Sequence, residues 1–184
     1  MSRLTVYPEH SAAAPLVDTS ERGEIEAALQ AIRVRFENWE ARYPLSADSD
    51  DKAVLAAYQS DIERLKEEGD YCSVDVLRLL PDNPNREELR RKFLDEHTHS
   101  EDEVRFFVEG EGVFYLRAAG KVYVILCEQG DLLSVPAGTR HWFDMGPAPR
   151  FTAIRLFTTP KGWVAQFTGD RIAQRFPLFE RVHP

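Results

Sequence analysis

The chain of 184 residues carries 31 acidic and 23 basic residues, a net charge of −8, and 43% of its residues are hydrophobic. This length and composition predict one folded domain with a buried core rather than a disordered chain. A net negative charge without a basic cluster disfavours binding to phosphate backbones, so we expect no nucleic-acid partner.

The chain start and the cysteines bear on where the protein works. The opening residues, MSRLTVYPEHSAAAP, contain no long apolar run, so we expect neither a secretion signal nor a membrane span. Cys72 and Cys127 stand alone in strand-like sequence, which is typical of small buried side chains in a reducing compartment. We therefore expect a cytoplasmic protein that folds as a single domain over residues 1–184.

The first 70 residues have helical periodicity. One apolar stripe at helical spacing consists of Ile25, Leu29, Ile32, Phe36 and Trp39, and a second consists of Val54, Tyr58, Ile62 and Leu65. Asp18 and Glu21 resemble a capping box before the first stripe, and Gly69 lies where the second helix would end. We predict a mostly helical packing region over residues 1–70.

From Tyr71 onward the period shortens to that of strands. YCSVDVLRLL is typical of a strand, PDNPN of a turn, and REELRRKFL of a short helix. Further β-rich runs follow: VRFFV, GVFYLR, KVYVILC, LLSVPAG, FTAIRLF and WVAQF. Short strands at this spacing predict an antiparallel sandwich or barrel over residues 71–184.

Two histidines, His97 and His99, lie one residue apart in the acidic stretch DEHTHSEDEV. Residues two apart on a strand point to the same face, so both imidazoles can converge on one point. Glu103 and Arg105 have the same parity and can line the same interior. A solvated surface pair is the other explanation for such a stretch, and a metal site requires further ligands.

A further ligand is available in GDLLSVPAGTRHWF. There His141 follows Pro136 and Gly138, which form a turn that fixes the position of a ligand at the start of the next strand. His10 and His183 lie near the two ends of the chain, and we expect them on the surface.

These segments resemble the two motifs of the cupin superfamily. The first appears as His97-x-His99-x3-Glu103-x6-Gly110, with Arg91 where the family has a leading Gly. The second is matched by Gly130, Pro136, Gly138 and His141, and Met145 stands where Asn is common. The resemblance implies a cupin-type antiparallel β-barrel, a double-stranded β-helix, with a metal bound by His97, His99, Glu103 and His141.

Three imidazoles and one carboxylate without a thiolate suit Fe(II), Ni(II), Mn(II) or Cu(II) better than a closed structural zinc site. Four protein ligands on an octahedral metal leave two positions open. A chelating substrate, such as an enediol or a keto-acid, needs two such positions.

A closer resemblance covers residues 4 to 180. GEIEAALQAIRVRFENWEA, FLDEHTHSEDEVRFFVEGEGVFYLR, VPAGTRHWFDMG and FTAIRLF are similar to segments of the acireductone dioxygenase family of methionine salvage. This resemblance implies one Fe(II) or Ni(II) per chain. Its substrates are O2 and the acireductone 1,2-dihydroxy-3-keto-5-methylthiopentene. The Fe(II) form yields 2-keto-4-methylthiobutyrate and formate, and the Ni(II) form yields methylthiopropionate, formate and carbon monoxide.

The resemblance also assigns roles beside the ligands. It gives Arg105 the stabilisation of substrate charge, although a salt bridge with Glu101 or Asp102 is the other interpretation. It links Glu96 to metal incorporation, and it makes Asp102, which precedes the ligand Glu103, a residue that transmits local conformational change to the site.

Three further residues are candidates for contact with the substrate. Arg155 is either a second anion contact or a packing residue. Phe93 and Phe143 are candidate walls for the methylthio tail, and plain core packing explains them equally.

Two other functions compete with the dioxygenase. One is a different cupin enzyme with the same metal ligands, such as a sugar or keto-acid isomerase or a quercetinase-like dioxygenase. The other is a non-catalytic cupin that binds a small ligand and regulates a partner. The retained ligands and the EDEVRFF context around Arg105 favour the dioxygenase, and the family pattern implies a monomer.

Overall fold

Antiparallel strands make up most of the regular structure in the computed structural model, which describes residues 1–46, 49–159 and 164–182. The strands are β1 (Arg3–Pro8), β2 (Val17–Thr19), β3 (Arg35–Asn38), β4 (Ser73–Leu79), β5 (His97–Thr98), β6 (Glu103–Ala118), β7 (Lys121–Glu128), β8 (Asp131–Val135), β9 (Arg140–Asp144), β10 (Phe151–Phe157) and β11 (Gln166–Phe167). The helices are α1 (Arg22–Gln30), α2 (Asp51–Ala57), α3 (Gln59–Glu68), α4 (Arg86–Leu94) and α5 (Phe179–Val182), with a 3-10 helix at Ile172–Arg175. Within the described residues, no helix is long and apolar enough to span a bilayer.

The strands form two sheets that share β6. In one sheet the order is β2-β1-β7-β6-β9-β5-β11, and in the other β6 pairs with β8 and β10, which in turn pair with β3 and β4. All these pairings are antiparallel. The predicted antiparallel β architecture is confirmed, and its closure as a cupin-type barrel stays a prediction.

Strand β6 passes from one sheet to the other at Gly110. Its first half pairs with β8 and β10, and its second half, from Glu111 onward, pairs with β7 on one side and β9 on the other. Gly110 has a φ of 72°, and a Cβ there would lie 1.8 Å from the carbonyl oxygen of Arg150. Only glycine satisfies both conditions. The prediction of two separate strands, VRFFV and GVFYLR, was therefore wrong, since they form one bent strand.

Alternation along β6 divides the core. Phe107 and Phe114 face a cluster that draws on both sheets and on α1. Val104 and Phe106 face the other way, against Tyr58 and the rest of the apolar stripe of α2 and α3. Glu103 and Arg105 have the parity of Phe107, so this alternation directs them into the protein interior.

The first predicted helix was too long. Helix α1 ends at Gln30, and Phe36 lies on β3, paired with Leu133 of β8. Residues 32 and 36 differ by an even number, so their spacing fits a strand as well as a helix. The N-cap of α1 is Glu21 without a side-chain bond, whereas Asp18 lies on β2, where its carboxylate accepts hydrogen bonds from Arg3. The capping-box prediction was therefore wrong.

The other predicted helices are present, although the second is divided into two. The second stripe forms α2 and α3, which are separated at Tyr58, and Asp50 caps α2 by accepting a hydrogen bond from the amide of Ala53 at 2.8 Å. REELRRKFL is α4. Because β1, β2 and β3 also lie in the first 70 residues, the prediction of a mostly helical region there is only partly correct.

Several smaller expectations are also settled. Cys72 and Cys127 are both free thiols. Cys127 is buried as expected, and burial raises the pKa of its thiol well above the usual range. The expectation for Cys72 was wrong, because its side chain is exposed where the chain enters β4. His10 is exposed as expected, and His183 lies outside the described residues. In the run WVAQF the strand is limited to β11, and Trp163 lies outside the described residues.

Candidate metal centre

Three short strand segments bring the histidines together. His97 on β5 lies opposite His141 on β9, and β11 covers the other edge of β5. The imidazole centroids of His97 and His141 are 4.5 Å apart, and the His99 ring is 5.0 Å from each. Nitrogen atoms of the three rings lie within 4.8 Å of one another. The three side chains therefore form a buried group that is able to hold a metal ion.

The turn before β9 is tied to the histidine pair. Gly138 has a φ of 76°, and its amide donates to the carbonyl of His99 at 2.9 Å. The Pro136–Gly138 turn thus fixes the entry of His141 relative to His99, as the sequence predicts.

Backbone carbonyls orient all three rings through Nδ1. His97 Nδ1 lies 2.7 Å from the carbonyl of Asp95, His141 Nδ1 lies 2.8 Å from that of Thr139, and His99 Nδ1 lies 3.2 Å from that of Val164. A carbonyl only accepts, so Nδ1 is the protonated nitrogen in the neutral form of each ring, and Nε2 then presents its lone pair. Burial and the proximity of His141 lower the pKa of His97 to about 4, which also favours a neutral ring. Neutral imidazoles with a carbonyl-bound Nδ1 are the form in which histidine binds metals.

Glu103 completes the group from β6. Its Oε2 lies 2.8 Å from Nε2 of His141 and 3.2 Å from Nε2 of His99, and the residue is 2% exposed. Burial favours its protonated form, but the positive charge of Arg105 and the proximity of His141 hold the pKa of Glu103 well below its usual range. A buried carboxylate thus faces Nε2 of two of the three imidazoles.

This arrangement fits a divalent cation. Among the described residues, Oε2 of Glu103 and Nε2 of His141 are buried 2.8 Å apart, and neither atom has a partner in hydrogen-bond geometry. Buried polar atoms are rarely left unsatisfied, and a cation between them removes that cost. The donor set, three imidazole nitrogens and one carboxylate, suits a divalent transition metal such as Fe(II), Ni(II), Mn(II) or Cu(II).

A cavity of about 180 Å³ opens onto this group. Its lining consists of Lys92, Phe93, His97, His99, Glu103, Arg105, His141, Phe143, Arg155, Ala165 and Phe167. The four predicted ligands, both predicted arginines and the two phenylalanines of the predicted tail wall therefore face one small space. Its size is that of a small metabolite.

Arg105 is buried beside the carboxylate. Its Nε lies 2.7 Å from Oε1 of Glu103, and its guanidinium carbon lies 4.8 and 5.0 Å from the ring centroids of Phe143 and Phe114. Burial lowers the pKa of Arg105 from its usual value. The ion pair is therefore with the candidate ligand and not with Glu101 or Asp102, the salt-bridge partners that the sequence offered.

Arg155 and the two phenylalanines also border the cavity. Arg155 donates two hydrogen bonds to Asp75 on β4, at 2.8 and 2.6 Å, so part of its charge is already neutralised. Phe143 is buried in the core, 6.2 Å from the ring of the partly buried Phe93. Arg155, Phe93 and Phe143 therefore both pack against neighbouring side chains and line the cavity.

Glu96 and Asp102 lie outside the cavity lining. Glu96 is 1% exposed and points to Arg117 and Thr168 instead. Asp102 accepts a hydrogen bond at 2.9 Å from the amide of Ala137, in the turn that precedes His141. Any effect of these two acids on the metal acts through the backbone that carries the ligands.

Sequence reasoning missed three cavity residues and the partner of Glu96. Lys92 is an exposed residue of α4, and Ala165 and Phe167 belong to a C-terminal segment with weak strand character. Arg117 binds Glu96, yet in the sequence it looks like an ordinary charge at the end of a strand. None of these positions carries a motif that would single it out.

Comparison with known proteins identifies the family. The model of the ARD/ARD' family matches residues 3–165. The acireductone dioxygenase of Parvibaculum lavamentivorans is 61% identical over 180 residues, covering 98% of each chain. That of Pseudomonas aeruginosa is 57% identical, covering 98% of this chain and 99% of its own.

The chain belongs to the acireductone dioxygenase family.

A solved structure agrees with this assignment. The acireductone dioxygenase from Bacillus anthracis, described with a cadmium ion in its active centre, superposes with a TM-score of 0.79. It is 29% identical, and the match covers 91% of this chain and 98% of that one. These comparisons confirm the resemblance to the acireductone dioxygenase family that we inferred from the sequence motifs.

Proposed function

We propose that this family member cleaves the acireductone 1,2-dihydroxy-3-keto-5-methylthiopentene with O2, in methionine salvage. With Fe(II) its products are 2-keto-4-methylthiobutyrate and formate. With Ni(II) they are methylthiopropionate, formate and carbon monoxide. One observation carries the proposal: three Nδ1-anchored histidines and an ionised Glu103 meet at a small cavity that two arginines also line.

The proposed ligands are His97, His99, Glu103 and His141. A divalent ion held there supplies Lewis-acid coordination for two oxygens of a chelating substrate. The backbone carbonyls on the three Nδ1 atoms keep the rings oriented, so substrate entry requires no rearrangement of the ligands.

Arg105 is the proposed partner of the substrate's negative charge. It lines the cavity, and the rings of Phe114 and Phe143 restrict its guanidinium. A fixed cation in a site of low dielectric favours the deprotonated enediol, which is the electron-rich form that O2 attacks. Arg155 lies on the adjacent strand and adds positive charge to the cavity. Its hydrogen bonds to Asp75 keep its guanidinium from binding the substrate directly.

The apolar wall formed by Phe93 and Phe143 is the proposed site of the methylthio tail. The two rings meet edge to face at 6.2 Å and border the cavity. Burial of the tail there would fix which end of the substrate faces the metal.

Product analysis tests the proposal. The metal-free protein is reconstituted separately with Fe(II) and with Ni(II) and mixed with the acireductone under air, and O2 uptake, organic acids and carbon monoxide are measured. The expected result is O2 uptake in both forms, with carbon monoxide released only by the nickel form. The proposal fails if neither form consumes O2 faster than the His141→Ala protein while each still binds about one metal per chain. An isomerase substrate would then be tested next.

A further inference from the structure

Arg117, at the end of β6, connects three separated parts of the chain. Its guanidinium binds Glu9 just after β1, Glu96 just before β5, and Asp170 in the C-terminal segment. The side chain is 13% exposed. One planar cation with several donors is the group best suited to hold carboxylates from different directions.

Glu96 is the buried member of this cluster. Its side chain is 0% exposed and accepts hydrogen bonds from Nη1 of Arg117 at 3.1 and 3.3 Å and from the hydroxyl of Thr168 at 2.6 Å. It immediately precedes His97, so the backbone of a metal ligand is anchored by this carboxylate. Removing one partner of a buried ion pair leaves an uncompensated charge and is strongly destabilising locally.

The C-terminal segment, residues 164–170, reaches the ligands directly. The carbonyl of Val164 fixes Nδ1 of His99, and Phe167 pairs with His97 across β11 and β5, with ring centroids 5.8 Å apart. The amide of Thr168 donates to the carbonyl of Glu96 at 3.0 Å. Two of the three histidines therefore depend on where this segment lies.

We propose that Arg117 is a positioning residue for the metal centre. By binding Glu96 on one side and Asp170 on the other, it holds the C-terminal segment against β5. This keeps the Val164 carbonyl on His99 and the Phe167 ring on His97. Arg117 borders no part of the metal cavity among the described residues, so we assign its side-chain effect on the ligands to its ion pairs with Glu96 and Asp170.

The test is the affinity of Arg117→Gln for Ni(II) alone, measured by competition with a chelating dye. Partners that orient metal ligands are typically worth about 10–100-fold in affinity, so we expect a loss of about tenfold. Arg3→Gln is a control for the loss of an arginine–carboxylate pair in general, because Arg3 binds Asp18 through two hydrogen bonds at the surface and does not touch Glu96. The control should bind Ni(II) like the wild type.

A double-mutant cycle separates this positioning role from general stability. If Arg117 acts through Glu96, Arg117→Gln should weaken Ni(II) binding much less in a Glu96→Gln background than in the wild type. Glu9→Gln removes a partner of Arg117 that does not adjoin the ligands, so its Ni(II) affinity should stay within about twofold of the wild type. In a second cycle, the effects of Arg117→Gln and Glu9→Gln on Ni(II) affinity should add. The visible absorption of the Co(II)-loaded protein should change in Arg117→Gln and not in Glu9→Gln.

A folded Arg117→Gln protein with wild-type Ni(II) affinity and an unchanged Co(II) spectrum overturns the inference. If that variant does not fold, Thr168→Val decides, since it removes the direct side-chain hydrogen bond between the segment and Glu96. Wild-type affinity in Thr168→Val would then refute the role of this cluster, and a loss of about tenfold would support it. The inference rests on the proposed metal site, but it does not depend on the substrate. A wild type that binds Ni(II) without consuming O2 contradicts the proposed reaction alone.

Discussion

Arg105 on β6 and Arg155 on β10 lie directly opposite each other in the register of two antiparallel strands. Residues in register share a face of the sheet, so both guanidinium groups border the metal cavity. Each has its own carboxylate: Glu103 for Arg105 and Asp75 for Arg155. A metal bound by Glu103, a proposed ligand, would share that carboxylate's negative charge and leave Arg105 less compensated. Asp75 is not a proposed ligand, so its charge continues to offset that of Arg155.

This difference predicts unequal effects of neutralising the two arginines. Arg105→Gln should lower kcat/KM for the acireductone about 100-fold, as removal of one charge-stabilising donor typically does. Arg155→Gln should cost less than about tenfold, since Asp75 already offsets its charge. The measurement is steady-state O2 uptake with metal content determined for each variant. Equal losses in the two variants, at equal metal content, would contradict the assignment of the substrate's charge to Arg105.

A second prediction concerns the ligands. His141→Ala should bind Ni(II) at least about 100-fold more weakly than the wild type, because even loss of a ligand's hydrogen-bond partner costs about 10–100-fold. His10→Ala is the control, since His10 is exposed near the chain start and should bind Ni(II) normally. Metal analysis after dialysis and equilibrium titration measure both. Retention of one tightly bound metal in His141→Ala would exclude this histidine as a ligand.

Metal removal should lower thermal stability. A ligand that binds only the folded state, at 100 times its Kd, stabilises that state by about 2.7 kcal/mol. For a chain of this length each kcal/mol corresponds to about 2–4 °C, so the Tm should fall by about 5–10 °C on treatment with a chelator. Added Ni(II) should restore it. Scanning calorimetry of the wild type and of His141→Ala compares the two, and a chelator-induced shift of the same size in the variant would place the bound metal elsewhere.

The grouping of the candidate ligands was largely predictable from sequence because it obeys local rules. His97 and His99 are two residues apart at the end of β5, Glu103 and Arg105 are two apart at the start of β6, and a Pro–Gly turn precedes His141. Residues 99–102, which join β5 to β6, are not in a strand, so the strand period accounts for each pair but not for their meeting. The support around these residues was not predictable. Arg117, Val164 and Phe167 act through contacts between segments far apart in the chain, and nothing in the local sequence distinguishes them from surface residues.

The fold shows the same division. Helices α2, α3 and α4 have one clear period and definite ends, and they lie where the sequence predicts them. The prediction that Phe36 is helical was wrong. Its spacing from Ile32 fits a strand as well as a helix, and pairing with β8 places it in a strand. Gly110 looks like a break between two strands, since a glycine is typical of turns, yet tertiary pairing on both sides makes it a bend within one.

The bend at Gly110 yields the last prediction. Gly110→Ala should prevent folding or destabilise the protein severely, since a Cβ would meet the Arg150 carbonyl at 1.8 Å in a left-handed conformation. Gly120→Ala is the matched control, because Gly120 has the same φ of 72° but no atom within 4 Å of the place where a Cβ would lie. It should cost only about 1–2 kcal/mol, the penalty for a non-glycine residue in that conformation. Urea unfolding followed by circular dichroism measures both. Similar losses of unfolding free energy in the two variants would show that the left-handed backbone conformation alone requires the glycine. The close contact between Gly110 and the Arg150 carbonyl would then not be the reason.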